Sequence, residues 1–331
     1  WLDNVINANP DVIFIQSAGN DGDVSRGYDK YGAPIKRGYE FELAKYTDSY
    51  KLSLNSIVVG AVKEVSPIVA QDFSEWSRKD NYITTSVPDT FEQQTGLEPA
   101  DTEKHKNGTS YSAPSVTAMI SFLKNNYSNY FDKGADSLIA KSALISGSRN
   151  NYSTKFKDSY EHVENHLVYE QKIGFGVANF SRMKESLENL DYFVLRSSNG
   201  RAKPRSKSIY LSAGDKYRVN ITWKNQDSLD WVLRPKSSSD TPAVYDKHFI
   251  GPTQLGLTIV KPDNHYYFEH WTARTITATN FTNISGETQR VNTKTIEFKA
   301  ETSGTYRFNV YFENDDARSK DMDVALTYSK I

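Results

Sequence analysis

The chain has 331 residues and a mass of 37.5 kDa, more than one apolar core ordinarily organises, and its 37% hydrophobic and 13% aromatic content excludes a disordered polypeptide. Forty Lys and Arg against 41 Asp and Glu give a formal net charge of −1, so no global field collects nucleic-acid phosphates or anionic lipid. The absence of cysteine excludes disulfides, thiol catalysis and Cys-ligated metals.

Trp1, Leu2, Val5 and Ile6 recur at helical spacing, Pro10 closes the segment, and Val12 to Gln16 is an apolar run of the kind found in buried parallel strands. Opening inside a helix with no initiator Met or leader is expected of a piece processed or excised from a longer polypeptide. A second strand is predicted over 56–62, flanked by polar, irregular stretches at 21–54 and 88–107 that read as surface excursions around a site. Helices follow near 114–127, 136–146 and 181–190. In the first, Pro114 suits an opening turn and Val116, Met119, Ile120 and Leu123 form one stripe; in the last, Ser181 is the expected cap. No apolar stretch approaches the roughly 20 residues of a membrane-spanning helix.

This alternation predicts an α/β unit with a mostly parallel sheet over 1–190. From 191 to 331 the rhythm changes to short alternating runs at 192–195, 208–211, 216–223, 255–260, 295–298, 305–312 and 323–328, separated by turn signals such as Ala213-Gly214-Asp215. That pattern predicts a β-sandwich or jelly roll. The cluster Arg201, Lys203, Arg205 and Lys207 reads as a solvated hairpin loop, because four charges are too small a footprint for nucleic acid.

Two motifs carry chemistry. Ser17-Ala18-Gly19-Asn20-Asp21-Gly22 follows the first strand, where an Asn amide can project from the carboxyl edge of a sheet. Asn107-Gly108-Thr109-Ser110-Tyr111-Ser112-Ala113-Pro114 precedes the amphipathic helix, placing Ser110 at a helix N-terminus. Unpaired N–H groups and the positive helix pole there stabilise negative charge developing on a substrate carbonyl oxygen, and an Asn carboxamide supplies a second donor. Either motif alone is also an ordinary turn or cap; in combination they are far more specific.

These two blocks resemble the oxyanion-asparagine and nucleophile-serine signatures of the subtilisin-like serine proteases. Ile57-Val58-Val59-Gly60-Ala61-Val62, Phe73-Ser74-Glu75-Trp76-Ser77 and Gly174-Phe175-Gly176-Val177-Ala178-Asn179 extend the resemblance over roughly residues 1 to 190. It implies that Ser110 is the acyl nucleophile, that Asn20 and the Ser110 N–H form the oxyanion hole, and that Ser17, Ala18, Gly19 and Gly108 line the substrate site. The family's chain order of Asp, His and Ser places both partners upstream of Asn20, where this sequence offers Asp3 and Asp11 but no histidine. His105 reads as part of a solvated loop, and His162 and His166 lack a third ligand partner.

The resemblance therefore implies the C-terminal part of a serine endopeptidase, inert alone and completed by an upstream segment carrying Asp and His. The alternative is a pseudoprotease that binds protein or glycan through its β region. Residues 191–331 resemble β domains appended to bacterial secreted subtilisins. Gly256 stands where those relatives often carry an acidic residue, so no clear calcium site is expected, and no cofactor is required for the chemistry. Expected partners are a protein or peptide substrate, not nucleic acid. Richness in Lys, Asn and Tyr with zero Cys fits an AT-rich bacterium and an extracellular or surface location, with host immunoglobulin as one candidate substrate.

Overall fold

The β-branched runs of the first half assemble a six-stranded sheet. The computed structural model describes residues 2–22, 46–47, 51–65, 68–77, 82–89, 91–92, 105–149, 169–198, 202–225, 229–233, 245–249, 254–262, 275–277, 291–313 and 321–331. Strands β1 (Ile15–Ser17), β2 (Ile57–Val65), β3 (Ile68–Ala70) and β4 (Ile83–Pro88) are followed by a short pair, β5 (Phe91–Glu92) and β6 (His105–Lys106), then by β7 (Ser148–Arg149) and β8 (Val177–Ala178). β1, β2, β4 and β8 are parallel neighbours in that order, while β7 pairs antiparallel with β8 and β3 antiparallel with β2.

Among the described residues the α-helices are α1 (Leu2–Ala8), α2 (Thr109–Asn126), α3 (Asp136–Gly147) and α4 (Phe180–Glu188). One apolar cluster joins Ile57, Val59 and Val87 of the sheet to Val116, Ile120 and Leu123 of α2, to Ile139 and Leu144 of α3 and to Met183 and Leu187 of α4. The stripe predicted for α2 is thus the face it buries.

Past residue 190 every strand pairing among the described residues is antiparallel. The strands are β9 (Asp191–Leu195), β10 (Arg205–Leu211), β11 (Lys216–Trp223), β12 (Leu229–Leu233), β13 (Tyr245–Phe249), β14 (Leu255–Val260), β15 (Thr275–Thr277), β16 (Thr293–Lys299), β17 (Gly304–Phe312) and β18 (Met322–Lys330). They form sheets in the orders β10-β17-β14-β15 and β16-β11-β18-β9, plus the pair β12-β13. Val219, Ile221, Trp223, Leu257, Phe308 and Leu326, drawn from both four-stranded sheets, belong to one apolar core.

Strand β11 reads as a half-exposed strand, Lys-Tyr-Arg-Val-Asn-Ile-Thr-Trp, yet both of its faces are buried. Its apolar residues enter the core just described, and its polar residues Arg218 and Asn220 face α3. There Ser142 accepts from Asn220 Nδ2 (3.0 Å), Ser146 donates to Thr327 Oγ1 (2.7 Å), and Ser329 donates to the Ser146 carbonyl (2.7 Å). Arg218 is fully buried, donates from Nη1 to the carbonyls of Ile145 and Phe175 (both 2.9 Å), and pairs with Glu297. The serine and threonine hydroxyls, the Asn220 carboxamide and Arg218 Nη1 find partners on this seam, while Arg218 Nη2 meets Glu297 as an ion pair without a hydrogen bond.

At the other end of the same seam, Lys141 donates from Nζ to the carbonyls of Leu54 and Ser56, and burial pushes its pKa down to about 8.

Several expectations change. The first strand is Ile15–Ser17 rather than 12–16, because Val12 is exposed. Helix α2 begins at Thr109, so Pro114 lies inside it; the helix is started by a tertiary contact described below, not by its own sequence. Asn179, not Ser181, caps α4, with its side chain accepting from Arg182 N (3.1 Å). His105 lies on β6 instead of in a loop. Arg205 and Lys207 lie on β10, not in a hairpin loop, with Arg205 over the Phe193 ring; Arg201 lies outside the described residues.

The central strand β4 has no apolar run to announce it. Its sequence Ile-Thr-Thr-Ser-Val-Pro is buried with its threonine hydroxyls partnered: Thr85 Oγ1 donates to the Gly176 carbonyl (2.8 Å), and Thr84 Oγ1 accepts from Val58 N (3.3 Å).

Candidate active site

The sheet delivers one side of the site. After β1, Ala18 N donates to the Val59 carbonyl (2.8 Å), and the chain then turns through Gly19 at φ 114°, a conformation that favours glycine. A side chain at Gly19 would collide with the Glu75 carboxylate, its Cβ falling 1.9 Å from Oε1. Glu75 N donates to the Gly19 carbonyl (3.2 Å), while Lys51 Nζ bonds both the Ala18 carbonyl (3.0 Å) and Glu75 Oε2 (2.8 Å). The turn that presents Asn20 is therefore held rigidly from beneath by a buried ion pair.

Helix α2 delivers the other side. Its first residue, Thr109, is fully buried and donates both N–H and Oγ1–H to Asn20 Oδ1, each at 2.9 Å. Thr109 Oγ1 also accepts from Gly19 N (3.1 Å). This clasp does the work of an N-cap from another part of the chain, which Gly108 cannot do for want of a side chain. It also fixes which way the carboxamide points. With Oδ1 accepting twice from Thr109, the carboxamide lies against Gly108, its Nδ2 and Oδ1 3.5 and 3.6 Å from where a Cβ of that glycine would be.

Ser110 comes next, exposed, in the first turn of the helix. The flanking amides of that turn are taken, Thr109 N–H by Asn20 and Tyr111 N–H by the Gly108 carbonyl (2.9 Å). The Ser110 N–H lies between them at the positive end of an 18-residue helix. Ser112, one turn position further, is buried and donates to the Val87 carbonyl (3.2 Å), anchoring the helix start to β4. The Asn20 carboxamide thus sits against the two residues that lead into Ser110 at the helix start.

The structure brings Asn20 against Gly108 and Thr109, the two residues before Ser110. Ala18 faces away: its methyl packs with Val58 and Ile83, so only its backbone borders the turn, while Ser17 and Gly19 are half-buried. Neither upstream aspartate approaches Ser110. Asp3 accepts from Ser53 Oγ (2.5 Å), Asn55 N (2.9 Å) and Asn225 Nδ2 (2.9 Å), a structural hub between α1 and the end of β11. Asp11 is exposed, and its carbonyl accepts from Lys124 on the last turn of α2. His162, His166, His265 and His270 lie outside the described residues, and His248 lies on β13 opposite Asp230. Among the described residues no cluster of three His, Asp or Glu could hold a metal ion, and no helix is long and apolar enough to cross a membrane.

Sequence reasoning missed the supporting residues Thr109, Glu75 and Lys51. Thr109 stands inside the serine motif and Glu75 inside the segment 73–77, and both could have been found there; Lys51 has no local signal, since only the fold brings it to Glu75 and the Ala18 carbonyl.

The family model of the subtilases matches residues 2–176. Similar solved structures include the patellamide maturation protease PatA, at 17% identity and TM-score 0.34, covering 57% of this chain and 56% of that one. A lanthipeptide protease matches at 12% identity and TM-score 0.35, covering 52% and 51%. Tripeptidyl peptidase 2 matches at 10% identity and TM-score 0.31, covering 99% of this chain and 33% of that one. The chain spans about half the length of the first two. No curated protein matches the sequence.

Proposed function

The chain belongs to the subtilase family, and from that premise we propose that it supplies the nucleophile and the oxyanion hole of a subtilisin-like serine endopeptidase. The observation that carries this reading is the Asn20–Thr109 clasp, which orients a carboxamide donor one residue before an exposed serine at a helix N-terminus. In the proposed reaction Ser110 Oγ attacks the carbonyl carbon of a peptide bond, and its proton passes to a histidine oriented by an aspartate. The carbonyl π electrons move onto oxygen, where Asn20 Nδ2 and the Ser110 N–H stabilise them. Collapse expels the amine, which takes the proton, and water then repeats the sequence on the acyl-enzyme.

The histidine and aspartate belong, in this reading, to polypeptide outside these 331 residues. All six histidines follow Asn20 in the chain, and Asp3 is committed to Ser53, Asn55 and Asn225. The backbone of Ser17 to Gly19, with Gly108, borders the bound peptide. Residues 191–331 form a jelly-roll or sandwich domain attached to a catalytic part that ends near residue 190, and the whole acts on protein or peptide outside a bacterial cell. The proposed steps draw on no cofactor.

Treating the complete protein with a fluorophosphonate probe tests this. Labelling is expected at Ser110, and Ser110→Ala should abolish labelling and lower peptide turnover by about 10⁶-fold. A wild-type protein that stays unlabelled is a pseudoprotease, and the proposal fails.

A further inference from the structure

We infer that Asp89 is a positioning residue for Ser110: a buried carboxylate that clamps the backbone immediately upstream of the nucleophile. The inference rests on the protease reading above and adds to it a residue outside both sequence motifs. Asp89 directly follows β4 and is 1% exposed. Its Oδ2 accepts the Gly108 N–H (3.1 Å), and its Oδ1 accepts from Gln71 Nε2 (2.7 Å). Gln71 is itself tied to the sheet, its N–H donating to the Ala61 carbonyl (2.9 Å). A continuous chain of hydrogen bonds therefore runs from β2 through Gln71 and Asp89 to Gly108.

Gly108 is where such a clamp has most effect. Its φ of 145° is open to glycine, so nothing in the residue itself holds the peptide plane ahead of Thr109, and no side chain of its own caps the helix. Two consecutive amides are instead gripped by acceptors from elsewhere, Gly108 N–H by Asp89 and Thr109 N–H by Asn20. With only the second grip, the segment could pivot about Gly108 and carry Ser110 with it. A carboxylate suits the first grip because each oxygen serves one donor, and hydrogen bonds to an ionised acceptor are the stronger kind.

The amide of asparagine can replace it. In Asp89→Asn the side-chain oxygen still accepts from Gly108, and the new NH2 meets the Gln71 amide turned about to present its oxygen. In Asp89→Ala both bonds are lost. The test measures two quantities in the complete protein: hydrogen exchange at the Gly108 amide, and inactivation by a fluorophosphonate resolved into the maximal rate and the half-saturating concentration.

Asp89→Ala should exchange Gly108 about tenfold faster or more, from loss of a charge-assisted bond. Its maximal inactivation rate should fall by roughly 10- to 100-fold at nearly unchanged half-saturation, as expected when a reacting group is misplaced by a fraction of an ångström to an ångström. Asp89→Asn should restore both readouts to within about threefold of wild type. If the alanine variant does not fold, Gln71→Met, which removes the outer donor, should lower the maximal rate by about threefold, and an unchanged rate would overturn the inference. Wild-type inactivation rates in Asp89→Ala, or equal losses in the Asn and Ala variants, would also overturn it. A wild-type protein that the probe does not label sinks the protease reading instead, while Gly108 exchange still decides whether Asp89 clamps that amide.

Discussion

Helix α2 buries one stripe, Val116, Ile120 and Leu123, and leaves its first turn open at Ser110, whereas α3 buries eleven of its twelve residues. Both pack against the six-stranded sheet, but α3 is also covered by β11 and β18. Covering that face buries Ser142 and Ser146, which are answered by Asn220, Thr327 and Ser329. The open end of α2 follows the opposite logic. There the tertiary structure occupies Thr109 N–H and Gly108 N–H and leaves the residue after them in solvent. On α3 the covered serines are satisfied by partners from the neighbouring strands, while at the start of α2 the two amides before Ser110 are satisfied and Ser110 itself is exposed.

Three experiments probe that contrast, beginning with the scaffold. Arg218→Ala strips donors from the Ile145 and Phe175 carbonyls and leaves Glu297 without its guanidinium, which should destabilise the protein by about 3–5 kcal/mol. Urea denaturation reads this, and a loss near zero would mean that the seam does not support the helix layer. Labelling of Ser110 in the folded variant should be unchanged, since Arg218 is not part of the clasp.

Asn20→Ala acts at the other helix. Losing a preorganised oxyanion donor should reduce turnover by about 10²- to 10³-fold with little change in KM. Stability should fall only by about 1 kcal/mol, the usual value of a cap. A variant that loses stability but keeps turnover would turn Asn20 into a structural cap and remove it from the chemistry.

The smallest effect is one of pH. Burial holds Lys141 at about 8 in the folded chain against an ordinary 10.5, so between those values the unfolded chain binds more protons than the folded one. Stability from this site therefore rises as pH climbs through that window and is flat below it. Relative to Lys141→Met, wild type should gain up to about 3 kcal/mol between roughly pH 7 and pH 10, measured by denaturant unfolding at each pH. A pH-independent difference would show that the buried ammonium keeps its ordinary affinity for the proton.

The parts of the fold that were legible share a property: their pattern and their environment agree. The stripe of α2 and the alternation of β14 and β17 are each buried on the face the sequence indicates. Strand β4 was illegible because its threonines look solvent-facing until Gly176, Val58 and Ser148 are beside them. Likewise Asp89, in a polar stretch read as a surface excursion, is a buried acceptor only because Gly108 and Gln71 arrive from other elements.

What the sequence supplied by itself was the pair of motifs that carry Asn20 and Ser110, and the switch in period near residue 190 from mixed helix and strand to strand alone. Short motifs and periodicity are local, and a local signal can specify which groups are present and which element carries them. The tertiary structure alone decided how those groups are held: Thr109 against Asn20, Asp89 against Gly108, Lys51 and Glu75 beneath Gly19. Hydrogen bonds of that kind form between residues tens of positions apart, and their partners are fixed by packing rather than by spacing along the chain.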